Sequence, residues 1–440
     1  MFKYHLAQKL RFVFAVSLLS LLSPIAFAGL KEKPIPDNSK PAVVIVPAHA
    51  YTTKILDQMN QSFSLPKAHA DWFGHIGISG GLNLDTLKAG ERTTTGNCYG
   101  GGVCALGYQG ENAATRYFSI NNAYLNISTQ VNRYLSVFNS LSYTDAAFNY
   151  SAAYLNLPDS AFAGNNNARL NMEQTFMRLS YFECLPFFIE LGKEFQDFSR
   201  YPLHPITESF TQVLSETLRN SVKLGFVHHL GFNGSVSLFQ NPTSKLALNI
   251  QENSLNYIAA LGFSRPDDQH GYELGIAYIY NLFGVNNIGN IIPAFYHKRV
   301  GGIAAYADLN TGPFTFNLRY TGSVQTFSPL DFTQNLLEPA TGAKPWAMGI
   351  EAGYNFISGN KTQNIYVGYQ KSRGTVSFNL PKARLLAGYG IDVLKNVAII
   401  SEWDHDIAYS QNEGGARSGT SNLFNLRLAA EFTQSSHARD

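Results

Sequence analysis

The sequence predicts an all-β chain: a transmembrane β-barrel of about sixteen antiparallel strands with short turns at one end and long loops at the other. Three observations carry that expectation: a strand pattern that repeats along most of the chain, connections that alternate in length, and a composition poor in charge. Gly271–Phe283 shows the pattern most clearly. Tyr272, Leu274, Ile276, Tyr278, Tyr280 and Leu282 share one parity, and Glu273, Gly275, Ala277, Ile279 and Asn281 the other. Side chains alternate faces along a strand, so one face is apolar with aromatics near both ends, as two membrane interfaces favour.

Charged residues make up 15% and aromatics 13% of the chain, with Tyr 24, Phe 31 and Gly 37. Ordinary soluble domains carry about 25% charge. A barrel whose outer wall meets lipid needs less, and its polar lining offsets the apolar wall, as the mean hydropathy of −0.11 indicates. A net charge of +2 gives no reason to invoke nucleic acid.

Residues 1–28 read as a signal peptide. Lys3, Lys9 and Arg11 precede the apolar run Phe12–Leu22, and Ala26-Phe27-Ala28 supplies the cleavage site. The run is too short and wrongly flanked for a spanning anchor. Residues 29–71 read as a periplasmic extension, punctuated by Pro34, Pro36, Pro41, Pro47 and Pro66, which bar it from a sheet interior. The apolar island Ala42–Val46 invites comparison with an energy-coupling box. Plugged transporters, however, need a plug far larger than this stretch, so a linker or peripheral strand is the reading kept. Of the three cysteines, Cys98 and Cys104 are expected to form a disulfide in an oxidising compartment rather than a zinc pair, since no nearby His or Cys completes a ligand set. Cys184 is assigned no role. No metal or cofactor is expected.

Residues 72–432 are expected to form the barrel. Strands are predicted from the Ile76–Leu84 segment onward, at 116–128, 133–149, 168–181, 186–195, 219–228, 231–240, 254–264, 271–283, 298–309, 313–323, 345–357, 361–371, 382–392, 396–407 and 421–432. Connections at one end are long (Thr86–Thr115, Ser151–Asn167, Gln196–Leu218, Asn241–Asn253, Gly284–His297, Gly322–Lys344, Ser372–Pro381, Ala408–Thr420). Those at the other end are tight (Thr129–Asn132, Cys184–Pro186, His229–Leu230, Asn310–Gly312, Ser358–Asn360), with Ser264–His270 the longest. Transmembrane barrels sort loop lengths this way, with short turns in the periplasm, and an even strand number puts both termini there. Residues 433–440 read as a polar tail beyond a closing strand that ends on Phe432.

The third long connection, Gln196–Leu218, is the candidate pore constriction. In sixteen-stranded porins the loop at this place folds inward. Pro202 and Pro205 stiffen it, and Thr207 is expected to open a short helix over Thr207–Thr217. Asp197, Arg200, Tyr201, His204, Glu208, Glu216 and Arg219 would set mixed charge at the narrowing. Arg178, Glu190, Lys223, Glu273, Arg319, Glu351, Arg384, Glu402, Asp404 and Arg427 are expected to line the rest of the lumen, each alone a solvated or paired charge rather than a ligand contact.

Phe188-Ile-Glu-Leu-Gly-Lys193, Pro205-Ile-Thr-Glu208 and Thr211-Gln-Val-Leu-Ser-Glu-Thr217 resemble the LbtU-type siderophore porin family of Legionella and relatives. The likeness runs over about Trp72–Phe432 and is clearest around this loop. It implies an outer-membrane barrel without a plug that takes up a ferric siderophore. Family members carry a coiled-coil-like region ahead of the barrel. Here a Pro-rich stretch without heptads stands in its place, a departure that touches solute choice.

Other classes compete. A general diffusion porin fits the same pattern, and Gly/Asn-rich outer loops suit an adhesin. A barrel hydrolase would draw on Glu402-Trp-Asp404-His405-Asp406, but alternation sends His405 to the face opposite both aspartates, so no catalytic residue is assigned. The expected partners are outer-membrane lipid and a small solute, with a homo-oligomer admitted.

Overall fold

The computed structural model describes residues 75–89, 116–132, 134–144, 169–180, 185–200, 206–228, 230–242, 244–247, 250–252, 255–265, 270–291, 295–332, 342–378, 380–410, 413 and 419–437. The signal peptide, the 29–71 extension, Cys98, Cys104, Cys184, Tyr201 and His204 lie outside these residues.

The strands are β1 (His75–Ala89), β2 (Arg116–Asn132), β3 (Leu135–Thr144), β4 (Arg169–Ser180), β5 (Phe187–Phe195), β6 (Leu218–Val227), β7 (Phe232–Gln240), β8 (Ser244–Ala247), β9 (Ile250–Glu252), β10 (Leu255–Arg265), β11 (His270–Ile279), β12 (Phe295–Tyr296), β13 (Gly302–Thr311), β14 (Phe314–Ser323), β15 (Trp346–Ser358), β16 (Lys361–Arg373), β17 (Ala383–Leu394), β18 (Val397–Ile407) and β19 (Thr420–His437). The short strands β8, β9 and β12 form a small separate sheet. The remaining sixteen close into one antiparallel barrel, each beside its predecessor in the chain, with β1 pairing β19 to seal the ring.

The barrel is inside out. Along β15, Ala347, Gly349, Glu351, Gly353 and Asn355 are buried, while Ile350 and Tyr354 on the other parity are exposed. Outward residues elsewhere include Leu224, Leu274, Leu318 and Phe424, all exposed, whereas Glu190, Lys223, Arg384 and Asp404 are sealed inside at 0% exposure. Water would reject such a wall and lipid accepts it. Lipid cannot bond an open sheet edge, and the closed ring has none.

Tight and long connections segregate to opposite ends, giving a short-turn end and a long-loop end. At 359–360, Gly359 (φ 59°) and Asn360 (φ 60°) turn the chain between β15 and β16 with the two positive φ values that match hairpin twist.

Three local expectations are corrected. β11 stops at Ile279 rather than Phe283. The Asn281 side chain accepts the Phe283 N–H and caps a 3₁₀ turn over Leu282–Gly284, so Leu282 and Phe283 swing inside the ring and are buried. β19 runs past Phe432 to His437, with Thr433–His437 pairing Ser79–His75. The helix expected over Thr207–Thr217 is a single turn, α1 (Phe210–Val213), capped by Ser209 and not Thr207.

Candidate functional site

The segment between β5 and β6 crosses the interior of the ring. In the sixteen-strand order, β16 and β17 stand opposite β5 and β6, and the segment has bonds to both sides.

Its root is ionic. Lys223 on β6 sits among Glu194 (3.0 Å), Glu190 (3.2 Å) and Asp197 (3.3 Å), and Arg178 donates to Glu190 through Nε at 2.5 Å. Asp197 also accepts from Ser235 on β7. Gln196 Nε2 reaches the Glu194 carbonyl (3.0 Å) and Ser221 Oγ (2.9 Å), fixing the angle at which the chain leaves the wall. Arg200 pairs with Glu273 on β11 and lies over the Tyr306 ring, 5.3 Å from its centroid. Burial opposes its charge, but Tyr306 and Glu273 outweigh burial and push its pKa up.

The far side is held by side chains that point inward from the opposite wall. Glu402 Oε1 on β18 accepts both the Thr207 amide (2.9 Å) and its hydroxyl (2.6 Å). The Tyr366 hydroxyl donates to Glu402 Oε2 at 3.0 Å. The Tyr366 ring reaches that position across Gly388, where an added Cβ would stand 2.0 Å from the ring. Gln370 Oε1 on β16 accepts the Phe210 amide at 2.7 Å. Arg384 on β17, bidentate to Asp406 (2.7 and 2.9 Å), also points at the Glu208 carbonyl (3.4 Å) and lies over the Phe210 ring. Ile206 packs on Ala398, Ile400 and Ala429 of β18 and β19.

A second inward connection, the one after β11, locks the return. Its short helix α2 (Asn286–Ile291) donates the Asn286 amide to the Glu216 carbonyl (2.8 Å) and Asn287 Nδ2 to Glu208 Oε1 (3.3 Å). Glu216 Oε2 accepts from Gln212 Nε2 at 2.8 Å. Burial pushes the Glu208 carboxyl well above the ordinary range and Glu216 adds to the shift; burial also raises Glu216. Phe198, Phe210, Val213 and Leu214 join Phe283, Ile288, Phe327 and Phe378 in an apolar core inside the ring.

Arg219 turns toward α2, its Nε donating to the Gly284 carbonyl at 3.1 Å. On the remaining wall, Arg427 makes a bidentate pair with Asp85 (2.7 Å for each bond) across the seam that closes the barrel. Arg319 on β14 is likewise bidentate to Asp308 on the neighbouring β13 (2.5 and 3.1 Å). Glu351 and Asp404 are buried on the same inner face. Asp85, Glu194 and Asp308, none of them among the expected lumen residues, and Asp406 supply the carboxylates for these cations. Parity marks all four as inward, but partner choice needs the register between strands. At the short-turn end a 560 Å³ cavity, lined in part by Thr362, Asp392, Ala398, Ile400, Ala429 and Glu431, shares its apolar patch with Ile206.

Among the described residues, no group of three His, Cys, Asp or Glu is placed to hold a metal ion. His405 lies on the outer face, 5.9 Å from the Trp403 ring and 2.9 Å from Asn422 Oδ1, while Asp404 and Asp406 point inward. The three do not converge.

The ring of sixteen strands, the short-turn and long-loop ends and the inward segment are the architecture of outer-membrane porins. Among solved structures the chain is similar to the Pseudomonas putida OprB structure (TM-score 0.52, 12% identity, 81% of this chain and 94% of that one). It is also similar to an anion-selective porin from Comamonas acidovorans (TM-score 0.51, 11% identity, 81% and 99%) and to Salmonella typhi OmpF in complex with daunomycin (TM-score 0.51, 13% identity, 82% and 98%). At these identities the likeness is one of fold. No family model matches. In sequence the chain is similar to a UPF0422 protein of Coxiella burnetii (25% identical over 256 residues, 56% of this chain and 53% of that one). It is also similar to UPF0422 proteins of Legionella pneumophila (24% over 278 residues, 59% and 51%). The chain thus spans about half the length of the curated relatives it matches.

Proposed function

We propose that the chain is an outer-membrane channel that admits a siderophore-sized solute, with residues 196–218 as its selective narrowing. The long-loop end faces outward and the short-turn end, with both termini, faces the periplasm. The N-terminal signal directs export. The observation that carries this reading is the tethering of the inward segment to opposite walls, through Lys223 and Asp197 on one side and Glu402, Gln370 and Arg384 on the other. A segment held this way narrows the lumen at fixed width and places Asp197, Arg200, Glu208, Glu216 and Arg219 beside it. Charge at a narrowing selects solutes by width and local field.

Replacing Gln196–Leu218 with a Gly/Ser linker is expected to raise single-channel conductance in planar bilayers. The same change should reduce discrimination between a labelled ferric siderophore and a neutral sugar in liposome uptake. Unchanged conductance would remove the segment from the mechanism. Faster uptake of the sugar by the intact protein would favour a general diffusion channel.

A further inference from the structure

We propose that the outer wall of β15–β17 at the long-loop end binds the phosphorylated headgroup of an outer-leaflet glycolipid. The proposal rests on the orientation given above and is independent of the solute. On β16 the outward residues read, toward the long-loop end, Ile365, Val367, Tyr369, Lys371 and Arg373. That is the order of parts in a membrane amphiphile: two aliphatic positions, an aromatic at the interface, then two cations. The neighbouring β15 repeats it. On β15, Ile350 and Met348 lead to Trp346 and the exposed Lys344. On β17 the outward Tyr389, Ala387 and Leu385 continue the apolar strip and end on Ala383, with no cation on that face.

Register gathers the cations. Arg373 pairs with Trp346, and Lys371 with Met348 and Ala383. The Ser372 amide, between Lys371 and Arg373, donates to the Lys382 carbonyl at 3.0 Å. Gly374 lies against the Lys344 backbone, where an added Cβ would be 2.9 Å from the carbonyl oxygen. Neighbouring strands are about 4.8 Å apart, so Lys344, Lys371 and Arg373 share one patch a headgroup can span. Lys382, on the inward parity of Arg384, lies outside this patch and is paired with Glu413 at 2.7 Å. Lys344, Lys371 and Arg373 have no carboxylate partner among the described residues.

Cations at an interface are common, and a long side chain there often only reaches for water. The flanking strands show the difference. β14 ends its outward face on Tyr320, Gly322 and Val324, and β18 on Trp403, His405 and Ile407. Neither carries a Lys or Arg at that level. Uncompensated positive charge above an aromatic and aliphatic strip fits a multiply phosphorylated lipid, and Arg373 can take a phosphate bidentately.

The test uses the full-length protein in detergent. It is incubated with a diphosphorylated lipid A-type glycolipid, its dephosphorylated form, or phosphatidylglycerol, and bound lipid is read by native mass spectrometry. The wild type is expected to retain the diphosphorylated glycolipid at least tenfold more than K371Q/R373Q, and K371R should retain it fully. Bilayer conductance and heat-modifiable gel migration of the double variant should match wild type, because neither residue faces the lumen. Equal retention by wild type and double variant would overturn the proposal, as would equal retention of the dephosphorylated form. Phosphatidylglycerol held as well as the glycolipid would overturn the choice of headgroup. Orientation is read separately, by labelling a Leu330→Cys variant in intact cells. Loss of that label alone would refute the membrane orientation and leave the lipid measurement standing.

Discussion

Arg384 shows what a single inward side chain does in this barrel. Fully buried, it neutralises Asp406 with two parallel bonds and steadies the backbone at Glu208. Arg384→Ala strands a buried carboxylate, which costs about 3–5 kcal/mol when such a pair is broken. Arg384→Met with Asp406→Leu should cost much less, and thermal unfolding in detergent separates the two. Glu402→Leu removes the acceptor for both Thr207 bonds, and its expected effect is a noisier, larger conductance rather than unfolding. Parity alone marks Arg384, Glu402 and Arg427 as inward, because a strand's period leaves no other choice. Their partners were not legible. The pairs Arg384–Asp406 and Arg427–Asp85 join residues on different strands, and which levels meet depends on a register that no single strand records.

At the scale of the element, the crossing segment and α2 form one latch. Half-buried Glu208 and Glu216 have carboxyls raised above their unfolded value of about 4.3. A group raised in the folded state contributes stability that is complete below the unfolded pKa and is lost as pH rises through the folded one. The latch should therefore hold best in acid and open more often as the medium becomes alkaline. Single-channel conductance and its noise are expected to grow as pH rises, and Glu208→Gln with Glu216→Gln should flatten that dependence. Phe210→Ala empties a core position and should cost about 3–5 kcal/mol. Strand positions and the sorting of loop lengths were legible, since repetition and turn residues are local signals. The end of β11 was not. Leu282 and Phe283 continue the alternation, and only the Asn281 cap and the apolar core waiting inside turn them inward. Ser209 likewise displaced Thr207 as the cap because Thr207 is occupied by Glu402.

For the whole molecule, the exposed apolar wall sets the solvent. Leu274→Arg puts a charge on the lipid side and should cost about 2–4 kcal/mol near the bilayer midplane, read as lost folding into vesicles. The fold class was legible because the low charge, the alternation and the loop rhythm agree with one another. Solute choice was not, since it depends on distances across a lumen that belongs to every strand at once. The crossing segment has a mechanical consequence. Fixed near β5–β6 at one end and near β16–β18 at the other, it works like a spoke across a hoop. A sheet ring alone flattens easily under sideways pressure, whereas a spoked one keeps its section round until a tether such as Thr207–Glu402 lets go.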